Sequence, residues 1–173
     1  MTTFDTFLAA VLDRATAAAG TDGSSTVEAH HVLLAVAASE EPSTRALLAS
    51  VGLDQAAIRT ALEREFAQSL GTAGVSVDPA GLPRPSPEPR AGARRGRSSH
   101  PRAESPPLGS SVKLALERGL GSTTRKRDLR PAHLLLGIVQ ASVGTVPRAL
   151  DLSGVDRAAL IERVTQSLTE AGR

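Results

Sequence analysis

The chain has no cysteine, no tryptophan and no tyrosine among its 173 residues, and only three phenylalanines. Without cysteine there are no disulfides, no thiol nucleophile and no thiolate metal site. A chain so composed suits a reducing cytoplasm. Its few aromatics leave little on which nucleic-acid bases could stack. No apolar run approaches the roughly 18–20 residues that span a bilayer. The opening MTTFDTFLAAVLDR also lacks the basic start and continuous apolar core of a signal peptide. A soluble, cytoplasmic protein is expected, with no membrane partner. No G-x-x-x-x-G-K-[ST] phosphate loop and no G-x-S-x-G nucleophile setting occurs. Neither a nucleotide motor nor a hydrolase is indicated, and the expectation is a protein that is not an enzyme and needs no cofactor.

What is present is a duplication. Shifted by 102 positions, Ala29–Ile58 lies on Pro131–Leu160 without a gap. His31 falls on His133, Leu33 and Leu34 on Leu135 and Leu136, Leu48 on Leu150, Gly52 on Gly154, and Asp54 on Asp156. Between these identities stand apolar exchanges such as Val36 with Ile138 and Ile58 with Leu160. Self-similarity of this kind is read before anything else, because it sets the architecture.

Each copy reads as four helices. In the first, Phe4, Phe7, Leu8, Val11 and Leu12 recur at helical spacing, with Thr2 or Thr3 as cap and Gly20 and Asp22-Gly23 as stop. A second helix covers about Ala29–Ala38. Pro42 suits the first turn of a third, ended by Gly52. Asp54 caps a fourth with Ile58, Leu62 and Phe66 on its inner face. The second copy repeats the plan through Val112–Leu116, Pro131–Val139, Ala149–Leu152 and an Asp156-capped helix with Leu160, Val164 and Leu168. In its first helix, Gly119 and Gly121 read as weakening the end. Nothing alternates with period two, so no sheet is expected. Each copy alone is too small to bury much surface, so the two are expected to pack together.

The copies occupy residues 1–70 and 108–173, with 71–107 between them. That stretch holds eight of the eleven prolines, five glycines and six arginines against Asp78, Glu88 and Glu104. Its +3 exceeds the net charge of +2 for the whole chain, so the pI of 9.9 does not mark a basic face on the helical copies. With so little to bury, it reads as a disordered tether. Its arginines offer the only case for binding nucleic acid or acidic partners, an alternative function that lacks any aromatic support; nucleic acid is not expected as a partner.

The paired segments AHHVLLAVA (29–37) with PAHLLLGIV (131–139), and RALLASVGLD (45–54) with RALDLSGVD (148–156), resemble the double repeat of the Clp N-terminal domain. That domain stands at the front of the ring-shaped Clp ATPases that unfold proteins for degradation or disaggregation. The resemblance covers both copies and leaves out the tether and any ATPase module. It implies an all-α fold of two pseudo-symmetric four-helix repeats packed into one domain. It also implies a protein-binding role as accessory, adaptor or decoy in Clp-dependent quality control, with client proteins, peptides, a Clp ATPase or its adaptors as partners.

Some family members bind phosphoarginine through a Thr-Glu-His triplet opening the second helix of each repeat. The triplets here are Ala29-His30-His31 and Pro131-Ala132-His133. Without the glutamates a guanidinium loses its bidentate carboxylate, so weak or no phosphoarginine binding is expected. His31 and His133 are expected to be structural or site-lining, half-buried and hydrogen-bonded across the two copies. His30 is not expected to pair with His31, since adjacent helical residues diverge. No metal site is expected. The family's inter-repeat groove, lined by an aromatic near each repeat's start, places Phe4 and Leu108 in a peptide-binding role, the latter after a two-residue slip in the alignment. Phe7 is assigned to the core.

Overall fold

In a computed structural model of the chain, which describes residues 2–74, 105–123 and 125–171, the first helix, α1, spans Thr3–Thr21. Thr2 and Asp5 close a reciprocal capping box: the Asp5 N–H donates to Thr2 Oγ1 at 3.2 Å, and the Thr2 N–H to Asp5 Oδ2 at 3.0 Å. There follow α2 (Ala29–Ala37), α3 (Pro42–Ala49, with proline in its first turn) and α4 (Gln55–Thr72). The second half contains α5 (Ser110–Gly121), a 3₁₀ turn (Lys126–Asp128), α6 (Pro131–Val139), α7 (Thr145–Leu152) and α8 (Arg157–Glu170). The chain is all-helical among the described residues. Among those residues the nearest approach to a sheet is an isolated parallel bridge between Val27 and Leu108. No helix of the described residues is long and apolar enough to cross a membrane.

The local stop and start signals recur at one offset. Gly52 and Gly154 take φ of +74° and +73°, a conformation that side-chain-bearing residues avoid. Two residues on, Asp54 and Asp156 cap α4 and α8 by accepting the N–H of Ala57 at 2.7 Å and of Ala159 at 3.0 Å. α2 and α6 start and stop at positions 102 apart, and α3 and α7 agree within one residue.

A continuous buried cluster draws on both halves, from Phe4, Val11, Leu33 and Leu48 to Leu135, Ile138, Leu150 and Leu160. α4 packs chiefly on α7 of the other half, and α3 meets α8. That crossing alters one expectation. The face of α4 turned inward carries Ile58, Ala61 and Glu65, while Phe66 is 56% exposed. Of the expected Ile58–Leu62–Phe66 stripe, Leu62 is half-buried and Phe66 lies outside, because the stripe that meets α7 is rotated toward Ala61 and Glu65.

Gly119 is not a weak point in α5. A Cβ there would lie 2.4 Å from the His133 carbonyl oxygen, so the missing side chain is what lets α5 approach α6. The expected tether falls, over 75–104, outside the described residues. At its edges, α4 continues through Thr72, and Pro107 and Gly109 bracket the bridge: the Val27 N–H donates to Pro107 O at 2.9 Å and the Gly109 N–H to Val27 O at 2.8 Å.

Candidate functional site

The sequence-selected histidines form matching buried turns. At the start of α2, the Glu28 N–H donates to His31 Nδ1 at 2.9 Å; at the start of α6, the Arg130 N–H donates to His133 Nδ1 at 3.0 Å. Each ring therefore closes on the residue three positions before it, and not across the two halves as expected. Both are buried rather than half-buried, at 0% and 7% exposure. Burial holds both rings below the ordinary histidine range. The Asp22 carboxylate opposes this at His31, while at His133 a backbone hydrogen bond with Arg130 opposes it and the Arg130 charge adds to it. Since Nδ1 accepts, the neutral His31 ring carries its proton on Nε2, which lies 3.4 Å from Asp22 Oδ2 without hydrogen-bonding alignment.

His30 does meet His31, with ring centroids 3.9 Å apart and planes tilted by 42°. The divergence of neighbours along a helix fails here because the His31 ring folds back onto the helix start. Burial, with the neighbouring His31 second, pushes His30 down to about 4, so it is neutral near pH 7 and is no cationic anchor. Among the described residues no group of three His, Asp or Glu side chains is placed to hold a metal ion.

Glu28 ties the halves together. Its carboxylate accepts from Thr26 Oγ1 at 2.8 Å and from Ser111 Oγ, and Ser111 Oγ in turn accepts the Ala29 N–H at 2.8 Å. Burial tends to raise this carboxyl, but the hydroxyls of Ser111 and Thr26 and the nearby histidines hold it below the usual range. Gly109 makes room for it, since a Cβ there would lie 2.1 Å from Glu28 Oε1.

Phe4 is 3% exposed and belongs to the core, so in this arrangement it offers no surface to a peptide. Leu108 is half-buried against the same core in the bridge to Val27. Phe7, assigned to the core from sequence, is half-buried and packs against that core, while its outer face lines a concavity of about 570 Å³ with Thr6, Ala10 and Arg14. The helical stripe alone does not say which of two aromatics three residues apart faces inward.

A more enclosed concavity of about 320 Å³ lies at the start of α2 and α5. Glu28, His30, Ser111, Leu114, Arg118 and Val143 stand on its wall. Leu114 is 49% exposed and Val143 84%. The two concavities correspond through the two-residue slip that aligned Leu108 with Phe4: it also sets Leu114 on Ala10 and Arg118 on Arg14. The arginines act alike. The Arg14 Nη1 group donates to Ala38 O at the end of α2, and that of Arg118 to Gly137 O near the end of α6 at 2.7 Å. Both line their concavities, Arg14 exposed and Arg118 half-buried. The recurrence of arginine at that spacing was the sequence signal for this pair.

The more enclosed concavity thus brings together the exposed Leu114 and Val143, a neutral imidazole and an engaged carboxylate. A scan of the chain against protein-family models gives no match, and a search of curated proteins gives none.

Proposed function

We propose that this chain is a cytoplasmic, non-catalytic protein-binding module related to the Clp N-terminal domain, acting as an accessory, adaptor or decoy in Clp-dependent protein quality control. In this reading α1–α4 and α5–α8 are two four-helix repeats packed into one domain. The observation that carries it is the pair of corresponding concavities, each lined by an arginine bonded to a carbonyl in the last turn or cap of the neighbouring helix. The constant offset of helix caps adds support. Clients bind by burying apolar surface on Leu114, Val143 and Phe7, since the family's charged recognition positions are replaced. Leu114 and Val143 take the place that Phe4 and Leu108 held in the sequence reading.

The test is affinity capture from nuclease-treated native lysate, with a Leu114→Ser/Val143→Ser control. Both residues are exposed, so the control is expected to keep its circular dichroism spectrum while losing at least about tenfold of the captured Clp ATPase or client. Absence of any Clp component from the wild-type capture would refute the assignment to Clp-dependent quality control.

Phosphoarginine is expected to bind no tighter than about 1 mM, because the only carboxylate at the enclosed concavity is engaged by two hydroxyls. Calorimetry with the free amino acid reads this directly. Micromolar affinity would contradict it.

A further inference from the structure

α4 and α8 begin at corresponding positions yet do not pack on each other; α4 turns chiefly to α7 of the opposite half, whereas α8 packs chiefly on α6 and also meets α3. Between their first turns lies a cavity of about 550 Å³. Its wall is drawn in matched pairs from the two halves, Gly52 with Gly154, Leu53 with Val155, and Ala57 with Ala159. It shares no lining residue with either concavity described above.

Small apolar side chains make its floor, and one arginine stands on each side, Arg64 from α4 and Arg163 from α8. Both are exposed, and among the described residues neither has an ion pair or hydrogen-bonding partner for its guanidinium. The one acid on the wall, Asp156, accepts the Ala159 N–H as a helix cap. The cavity thus presents two free guanidiniums across an apolar floor.

We propose that it docks a short acidic segment of a protein partner, with carboxylates on Arg64 and Arg163 and an apolar side chain against the half-buried Val51 and Val155. Guanidinium forks favour carboxylates in bidentate geometry. Nucleic acid fits less well. The wall offers no aromatic ring for a base, and two cations are too few for the counterion release that drives phosphate-backbone binding. The matched walls also leave room for the segment to lie in either direction along the pseudo-symmetric cleft, with the arginines fixing its charge pattern.

The experiment titrates the full chain with fluorescein-labelled peptides of equal length, one built of glutamate and leucine and one of lysine and leucine, followed by anisotropy. The acidic peptide is expected to bind at least about tenfold tighter than the basic one and to weaken as salt rises. An Arg64→Glu/Arg163→Glu variant should reverse that preference, and amide resonances of 51–64 and 153–163 should shift when the acidic peptide is added. If the doubly reversed variant fails to fold, Arg64→Gln/Arg163→Gln should still abolish the preference. Equal affinity for both peptides, shifts gathered instead around Leu114 and Val143, or tighter binding of a single-stranded oligonucleotide would each overturn the proposal. Loss of client capture by the Leu114 and Val143 variant leaves this readout untouched, so the two sites are separately testable.

Discussion

Gly137→Ala is expected to destabilise the protein by about 3 kcal/mol, although alanine is the better helix former by about 1 kcal/mol. A Cβ on Gly137 would stand 2.0 Å from the Ala115 carbonyl oxygen and 2.7 Å from the Gly119 nitrogen, both backbone atoms that no rotamer change can move. With Gly119 against the His133 carbonyl, two glycines make α5 and α6 approach backbone to backbone. At the corresponding positions α1 and α2 carry Ala15 and Ala35, buried at 0% and 4%. The first half therefore tolerates at its helix crossing the methyl groups that the second half excludes. To accept Gly137→Ala, α5 would have to withdraw, pulling Ser111 from Glu28 and Arg118 from the Gly137 carbonyl. Gly71→Ala is the control. It lies in α4 with nothing within 4 Å of the new methyl, and should stabilise by up to about 1 kcal/mol. Urea denaturation followed by far-UV circular dichroism separates the two, the chain having no tryptophan or tyrosine to report by fluorescence. Equal stability of both variants would mean that α5 and α6 do not pack this closely.

Arg148→Ala is expected to cost about 2 kcal/mol, and Glu65→Ala about 1 kcal/mol. Arg148 Nε donates to Glu65 Oε1 at 2.7 Å, and Ser69 Oγ donates to the same oxygen at 2.8 Å. The two ends of the pair are unequally placed, since the glutamate side chain is 6% exposed and the arginine side chain 57%. Removing the arginine strands a buried carboxylate with a single hydroxyl. Removing the glutamate frees a guanidinium that water already reaches. The larger loss should therefore come from the more exposed residue, the reverse of the usual ranking by burial. A double-mutant cycle measured by denaturation checks both the order and the coupling. Equal costs for the two single variants, or a larger one for Glu65→Ala, would show that the pair acts as an ordinary surface contact.

The helices and their limits were legible because the signals that set them act over three or four residues. Thr2, Asp54 and Asp156 accept N–H groups of the turns they precede, Pro42 and Pro131 pre-set the first turn, and Gly52 and Gly154 take the left-handed stop. The same locality made the internal offset readable, and with it the recurrence of a histidine near the start of α2 and of α6, but not the local hydrogen bonds those rings make. Site residues were less legible. Phe4 and Phe7 stand one helical turn apart, so their periodicity admits either as the inward residue. The packing of α1 on α2 buries Phe4 fully and leaves Phe7 half-buried against the same core, with one face on the concavity. Leu114 and Val143 come from different elements and become neighbours only at the wall of one concavity.

By itself, then, the amino-acid sequence determined that the described residues are helical, where most of their helices begin and end, and a repeated core stripe of leucine, valine and isoleucine. Only the tertiary structure decided which helix meets which. α4 crosses to α7 instead of lying on α8, which exposes Phe66, buries Glu65 beside Arg148 and opens the arginine-walled cavity. Capping is settled among neighbouring residues, whereas a side chain's burial depends on a surface that a distant part of the chain supplies.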